Sequence, residues 1–163
     1  MPSAIVITVS DSVFNGDKQD LSGPAVASRL EDAQFHVLGS AIVPDEAAQI
    51  KDALLDACSR ADFVVTTGGT GIAARDITPD VTRTICEKLV EGVSERMRND
   101  GLKQTPLASL SRAICGTRGR TVILNLPGSP KGAIESLNAV IELVPHMVDL
   151  LHGKTAHAES HKR

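Results

Sequence analysis

The sequence predicts a three-layer α/β/α domain built on a mostly parallel, mixed sheet. Three observations carry that expectation. Segments 4–9 and 63–67 are nearly continuous apolar runs, the pattern of strands covered on both faces, and 35–43 and 121–126 read as further strands. Helical segments with apolar residues at spacing three and four lie between them. Polar or glycine-rich turns follow these strands at Ser10, Val43, Thr67 and Leu126. In open α/β sheets that carboxyl rim is where ligands bind.

The elements follow in order. After the first strand, Ser10-Asp11-Ser12 and the polar loop 15–20 lead to a helix near Pro24, capped by Ser22 or Gly23, with Val26 and Leu30 inward. Pro44 ends the second strand. Asp45-Glu46 start a helix reaching about Arg60, with Ile50, Leu54, Ala57 and Cys58 as its apolar stripe, and Asp45 alone reads as its N-cap. The third strand, 63–67, is buried and β-branched. Thr78 as N-cap and Pro79 at the first helical position open a helix over 79–89, with Val81, Ile85 and Leu89 at spacing four. A polar helix over 91–104, broken near Gly101, and a short helix at Thr105-Pro106 come next. Segments 111–115 and 121–126 form a hairpin across Gly116-Thr117-Arg118-Gly119. Lys131 opens the last long helix, which restarts at Pro145 and ends at Gly153. No internal repeat or linker is visible, so residues 1–153 are expected to be one domain and 154–163 a mobile tail.

Composition narrows the function. The chain has 163 residues, 42% hydrophobic and 23% charged, with a net charge of −3, three Phe and no Trp or Tyr. Neither a stacking platform nor a basic surface for nucleic acid is present. No apolar run is long enough to span a membrane, and no secretory signal shows, so a cytoplasmic protein is expected. Cys58, Cys86 and Cys115 make neither a disulfide framework nor a zinc pattern and read as small buried hydrophobes. His36 and His146 read as structural, and His152, His157 and His161 lack a metal spacing.

The chemistry-bearing stretch is FVVTTGGTGIAARDITPD, residues 63–80. A glycine turn after a buried strand lets the backbone approach a ligand, and its N–H groups can form a nest for an anion. The stretch is not a P-loop, because no Lys follows the glycines. Gly69-x-Gly71-x-x-Ala74 satisfies the loose dinucleotide pattern, but the helix restarts at Thr78 and no acidic residue stands about 20 positions on. The rim therefore offers backbone N–H groups from two glycine turns and hydroxyls from Ser10, Ser22, Thr67, Thr70 and Ser129. Its carboxylates are Asp11, Asp20, Asp45 and Asp76. No Ser-His-Asp or Cys-His set accompanies them, so nucleophilic catalysis by a side chain is poorly supported. Carboxylates beside a phosphate nest point to Mg²⁺.

TTGGTG followed by RDITPD resembles the MogA/MoaB family of molybdenum cofactor biosynthesis. Ser10-Asp11-Ser12, Asp20-Leu21-Ser22-Gly23-Pro24, Val43-Pro44-Asp45-Glu46 and Leu126-Pro127-Gly128-Ser129-Pro130 fit the same family in its order. The resemblance implies a molybdopterin adenylyltransferase. Such an enzyme moves AMP from ATP onto the phosphate of molybdopterin, releases pyrophosphate and uses Mg²⁺. It implies Asp45 and Asp76 as the catalytic and metal-binding carboxylates. Nucleotide and pterin would be held by Ser10, Asp11, Asp20, Ser22, Gly23, Thr67, Gly68, Gly69, Thr70, Gly71, Thr78, Pro127, Gly128 and Ser129. Lys131 reads equally as a phosphate ligand or as a surface lysine. The resemblance further implies a homotrimer, or a hexamer of trimers, with other molybdenum cofactor biosynthesis proteins as partners. A pterin-binding scaffold with little activity is the second reading, and a nicotinamide enzyme the third.

Overall fold

The computed structural model of the protein describes residues 1–154. The expected tail, with His157 and His161, falls almost wholly outside the described residues. The strands are β1 (Ser3–Val9), β2 (His36–Val43), β3 (Phe63–Thr67), β4 (Lys88–Leu89), β5 (Cys115–Arg118) and β6 (Thr121–Leu126). They form one six-stranded sheet in the order β2-β1-β3-β6-β5-β4. The pairs β1–β2, β1–β3 and β3–β6 are parallel, and β5 and β4 add an antiparallel edge. The mostly parallel, mixed α/β sheet that the apolar runs predict is therefore the observed one.

Seven α-helices cover it: α1 (Asp11–Phe14), α2 (Ser22–Asp32), α3 (Ala47–Cys58), α4 (Thr78–Ile85), α5 (Glu91–Gly101), α6 (Pro130–Val140) and α7 (Val144–Leu151). The two-residue period of a strand sorts the core into two clusters. Ala4, Val6, Phe63, Val65, Val122 and Leu124 pack under α2, α5, α6 and α7. Ile5, Ile7, Val9, Val64 and Ile123 pack under α3 and α4. Burial on both faces is the reason these strands read as continuous apolar runs rather than alternating ones.

Three expectations need correction. The helix expected over 79–89 stops at Ile85, where Cys86 turns extended. Lys88 and Leu89 instead pair with Thr117 and Gly116 on the open edge of β5. The spacing of Val81, Ile85 and Leu89 could not reveal that a strand edge waits to be covered. In the hairpin, residues 116–118 are strand and the turn is Gly119-Arg120. Gly116 lies in the ladder because Cys86 and Lys88 pack where its side chain would stand, and only Gly119 takes a positive φ, +56°. His36, which reads as structural, is the exposed first residue of β2, whereas His146 does lie within α7.

The helix starts also differ in how they are capped. Leu21, not Ser22, occupies the N-cap of α2, and the Asp20 carboxylate accepts from Gly23 N–H at 3.0 Å. Ser22 Oγ is instead 2.9 Å from Thr67 Oγ1. Glu46, not Asp45, is the N-cap of α3. Ile77 is the N-cap of α4, so Thr78 is its first helical residue.

Candidate active site

Parallel pairing brings the carboxyl ends of β1, β2, β3 and β6 to one rim. In register, Val9 stands beside Val43, Thr8 beside Thr67, and Thr67 beside Leu126. Every polar motif picked out along the chain therefore leaves the sheet at the same edge. The loop after β3 makes the tightest turn. Gly68 and Gly69 have φ of +97° and +69°. A side chain on Gly68 would strike the Val9 carbonyl, and one on Gly69 would strike Thr78 Oγ1 and Asp45 Oδ1. Gly68 N–H donates to Leu126 O at 3.0 Å, so it belongs to the sheet rather than to an anion nest.

Two clefts flank this loop. The first, about 370 Å³, is polar. Ser10, Asp20, Ser22, Asp45, Thr67, Gly68, Gly69, Asp76, Gly128 and Ser129 are among its lining residues. The second, about 330 Å³, is mainly apolar, with Met97, Leu107, Ala108, Leu110 and Pro127 in its walls. Thr70 and Gly71 face this second cleft, and Ser129 borders both. Ser129 Oγ also caps α6 by accepting from Gly132 N–H at 3.1 Å.

Asp11, Gly23 and Thr78 line neither cleft and stand behind the first. Asp11 and Asp45 clasp each other: Asp11 N–H donates to Asp45 Oδ2 at 2.9 Å, and Asp45 N–H to Asp11 Oδ1 at 2.9 Å. Asp20 accepts from Thr8 Oγ1 at 2.8 Å through one carboxylate oxygen and from Gly23 N–H through the other. Thr78 Oγ1 is fully buried and has no hydrogen-bond partner, and it sits beside Gly69. Lys131 is outside both clefts, with its Nζ 3.9 Å from Glu135. Lys18, from the polar loop, is a cation of the first cleft that the sequence reading passed over.

The two carboxylates sit in different fields. Burial pushes the Asp45 carboxyl up, and the charges of Asp11 and Asp76 add to the rise. The Arg75 guanidinium beside Asp11 holds that carboxyl below its usual range, helped by the Asp45 N–H. Arg75 Nε reaches Asp11 Oδ2 at 2.6 Å, and its Nη2 reaches Glu46 Oε1 at 2.8 Å. Asp76 Oδ2 accepts from Ala73 N–H at 3.0 Å, closing its own loop.

A buried network supports α4 from beneath. Asn125, fully buried in β6, donates to Thr66 Oγ1 and Thr82 Oγ1, each at 3.0 Å, and Thr82 Oγ1 donates to Thr78 O at 2.8 Å. One signal could have found it: an Asn in the middle of an otherwise apolar strand must be hydrogen-bonded. Sequence reasoning also missed Arg112, which donates to Gly71 O at 2.8 Å.

The description "Probable molybdopterin binding domain" matches residues 5–146. The chain belongs to this family. Among its relatives, the molybdopterin adenylyltransferase of Helicobacter pylori is 43% identical over 155 residues, covering 91% of this chain and 86% of that protein. The Escherichia coli molybdopterin adenylyltransferase is 35% identical over 164 residues, covering 91% and 84%. The crystal structure of the molybdopterin biosynthesis enzyme MoaB from Thermus thermophilus superposes with a TM-score of 0.89 at 47% identity, covering 94% of this chain and 98% of that one. The fold of the family is thus the fold of this chain. The nicotinamide reading loses its footing, since α4 begins at Thr78 and not at the glycines.

Among the described residues no three His, Cys, Asp or Glu gather as a metal-binding group. Mg²⁺ ordinarily takes one or two carboxylates and leaves the rest of its shell to water and phosphate. Asp45 and Asp76 line one cleft, and the Asp76 charge adds to the rise of the Asp45 carboxyl, which is the situation a cation relieves. The residues fit the ion.

Proposed function

We propose that this chain is a molybdopterin adenylyltransferase acting in molybdenum cofactor biosynthesis, with the polar cleft as its transfer site. The observation that carries the reading is the pairing of Asp45 and Asp76 across a glycine-turn cradle, with no His or Cys among its lining residues to act as a nucleophile or to activate its serines. An attacking phosphate oxygen of the substrate makes a protein nucleophile unnecessary. That oxygen bonds to the α-phosphorus of ATP, the α–β bridging bond breaks, and pyrophosphate leaves. The identity of 43% to an adenylyltransferase along nearly the whole chain supports the same reaction.

The protein's part is alignment and charge. Asp45 and Asp76 would hold Mg²⁺, which supplies neutralisation of phosphate charge when bound. The Gly69 turn and Gly128-Ser129 present backbone to the nucleotide phosphates at close range. Lys18 adds a positive charge at the mouth. Ser22 and Thr67, bonded to each other, and Ser10, whose Oγ accepts from Val13 N–H at 3.2 Å, set the floor. The apolar cleft, sharing Ser129, suits the flat face of the pterin, and Thr70, Gly71 and Pro127 line that side. Asp11, Gly23 and Thr78 serve the site by holding Asp45, Asp20 and the Gly69 turn in place.

The same reading takes residues 1–153 as the catalytic domain, a homotrimer or a hexamer of trimers as the assembly, other molybdenum cofactor biosynthesis proteins as partners, and the cytoplasm as the location. No helix among the described residues is long and apolar enough to cross a membrane. Light scattering of the purified protein tests the assembly. The central test is incubation with molybdopterin, ATP and Mg²⁺. Pyrophosphate and adenylylated pterin are expected. Pterin binding without pyrophosphate release would leave the scaffold reading in place of the enzyme.

A further inference from the structure

The segment from Gly71 to Asp76 is the ridge between the two clefts, and one side chain from elsewhere in the chain grips both of its ends. Arg112 Nε donates to Gly71 O at 2.8 Å, and Arg112 Nη2 donates to Asp76 O at 2.5 Å. The same guanidinium forks onto the Asp80 carboxylate, with Nη1 to Oδ1 at 2.9 Å and Nη2 to Oδ2 at 3.0 Å. Arg112 N–H adds a bond to Thr70 O at 2.8 Å. Thus the first carbonyl of the ridge, its last carbonyl and the first turn of α4 are tied to a single rigid plane.

The arrangement is specific to arginine. A guanidinium presents five N–H donors in a fixed fork, whereas an ammonium is a point charge that cannot hold these angles together. All three nitrogens of Arg112 are engaged, which leaves little for a substrate phosphate. The side chain also lines a separate groove with Asp80 and Arg83, not either cleft. Its action on the reaction must therefore pass through the loop. At 37% side-chain exposure beside an Asp80 at 58%, the ion pair contributes little to global stability. The investment makes sense as placement of the loop backbone, because Asp76 follows its own carbonyl.

We propose that Arg112 is a positioning residue for adenylyl transfer, fixing the Asp76 carboxylate by clamping the Gly71 and Asp76 carbonyls against Asp80. The inference rests on the reading that Asp76 serves the transfer step. A misplacement of about 1 Å in a reacting group can cost on the order of 10² in rate. Arg112→Gln is expected to lower kcat by roughly 10–10² with pterin affinity within about threefold of wild type. Arg112→Lys keeps the charge and loses the fork. It is expected to recover little of the loss and to need a higher Mg²⁺ concentration for half-maximal turnover. Asp80→Asn keeps the two carbonyl bonds and is expected to lose only a few-fold, and the double variant Arg112→Gln/Asp80→Asn should be no slower than Arg112→Gln alone, since both act through one clamp.

The experiment is pyrophosphate release at varied pterin, ATP and Mg²⁺, with pterin affinity and thermal unfolding of each variant measured in parallel. A folded Arg112→Gln protein with kcat within twofold of wild type overturns the proposal. So does a rise in KM for pterin at unchanged kcat, which would make Arg112 a substrate contact. Arg112→Lys carries the same test if the Gln variant does not fold. Absence of pyrophosphate from wild-type protein would instead strike at the adenylyltransferase reading itself.

Discussion

The polar and apolar clefts lie back to back across one short loop, yet they are built in opposite ways. The polar cleft is assembled from strand ends: Ser10 after β1, Asp45 after β2, Gly68 after β3 and Gly128 after β6. Its side chains are held by hydrogen bonds made before any ligand arrives, as in the Asp11–Asp45 clasp and the Ser22–Thr67 pair. The apolar cleft is made from helices and loops far from the sheet centre. Leu107 and Leu110 come from the 3-10 helix Pro106–Leu110 and are 68% and 49% exposed. One side is hydrogen-bonded and charged, suited to phosphates. The other has exposed apolar walls, suited to burying a flat ring. The division teaches that this fold can separate chemistry from recognition with a ridge only a few residues wide.

The largest effect should come from the polar side. Asn in place of Asp76 keeps the shape and can still accept from Ala73 N–H, but it brings no full negative charge. Asp76→Asn is expected to fold normally, bind pterin and lose on the order of 10²–10³ in turnover. Pyrophosphate release beside thermal unfolding and pterin affinity checks this, with Asp56→Asn as control on an exposed helix face. Near-normal turnover would remove Asp76 from the transfer step and make Asp45 the principal carboxylate.

The apolar side should answer differently. Leu107→Ser removes apolar area that a bound ring would cover, at about 1.5–3 kcal/mol for a fully buried leucine. Because Leu107 is mostly exposed before binding, the folded protein should lose little stability. The KM for pterin is expected to rise about tenfold with kcat nearly unchanged. A fall in kcat at constant KM would mean that the two clefts do not divide the work, and the comparison above would fail.

The smallest effect concerns the clamp between the clefts and follows from charge. Arg112 beside Asp80 lowers that carboxyl, by its hydrogen bonds first and its charge next. A carboxylate lowered on folding adds stability above its unfolded pKa, about 3.9, and loses it as pH falls through the folded value. The melting temperature of Asp80→Asn is therefore expected to lie below wild type by at most about 3 °C at neutral pH, as for an exposed ion pair. The gap should close as the pH drops below about 3.9. A gap that stayed constant through acid would show that the pair contributes packing rather than charge.

Much of the architecture was written in local pattern. Runs such as Phe63-Val64-Val65-Thr66-Thr67 specify strands buried on both faces, and parallel strands necessarily send their carboxyl ends to one rim. Gly68 and Gly69 announce a turn that no residue with a Cβ could make so close to β1. The motifs around them name the family. These signals survive in one dimension because each rests on a residue's own period, rotamers or backbone freedom.

Other features were decided only when distant segments met. Lys88-Leu89 became strand because β5 had an open edge, and the Ser22 hydroxyl pairs with Thr67, 45 positions away, instead of capping a helix. The grip of Arg112 spans 41 positions to Gly71 and 36 to Asp76, so no window of sequence contains it. Helix propensity and capping preference are worth about 1 kcal/mol or less at a position. A buried hydrogen-bond network or a forked guanidinium readily outweighs them. The sequence by itself therefore determined the sheet, the rim and the residue types at the rim. The tertiary structure decided which of those residues face a ligand, which only hold their neighbours, and where the two clefts divide.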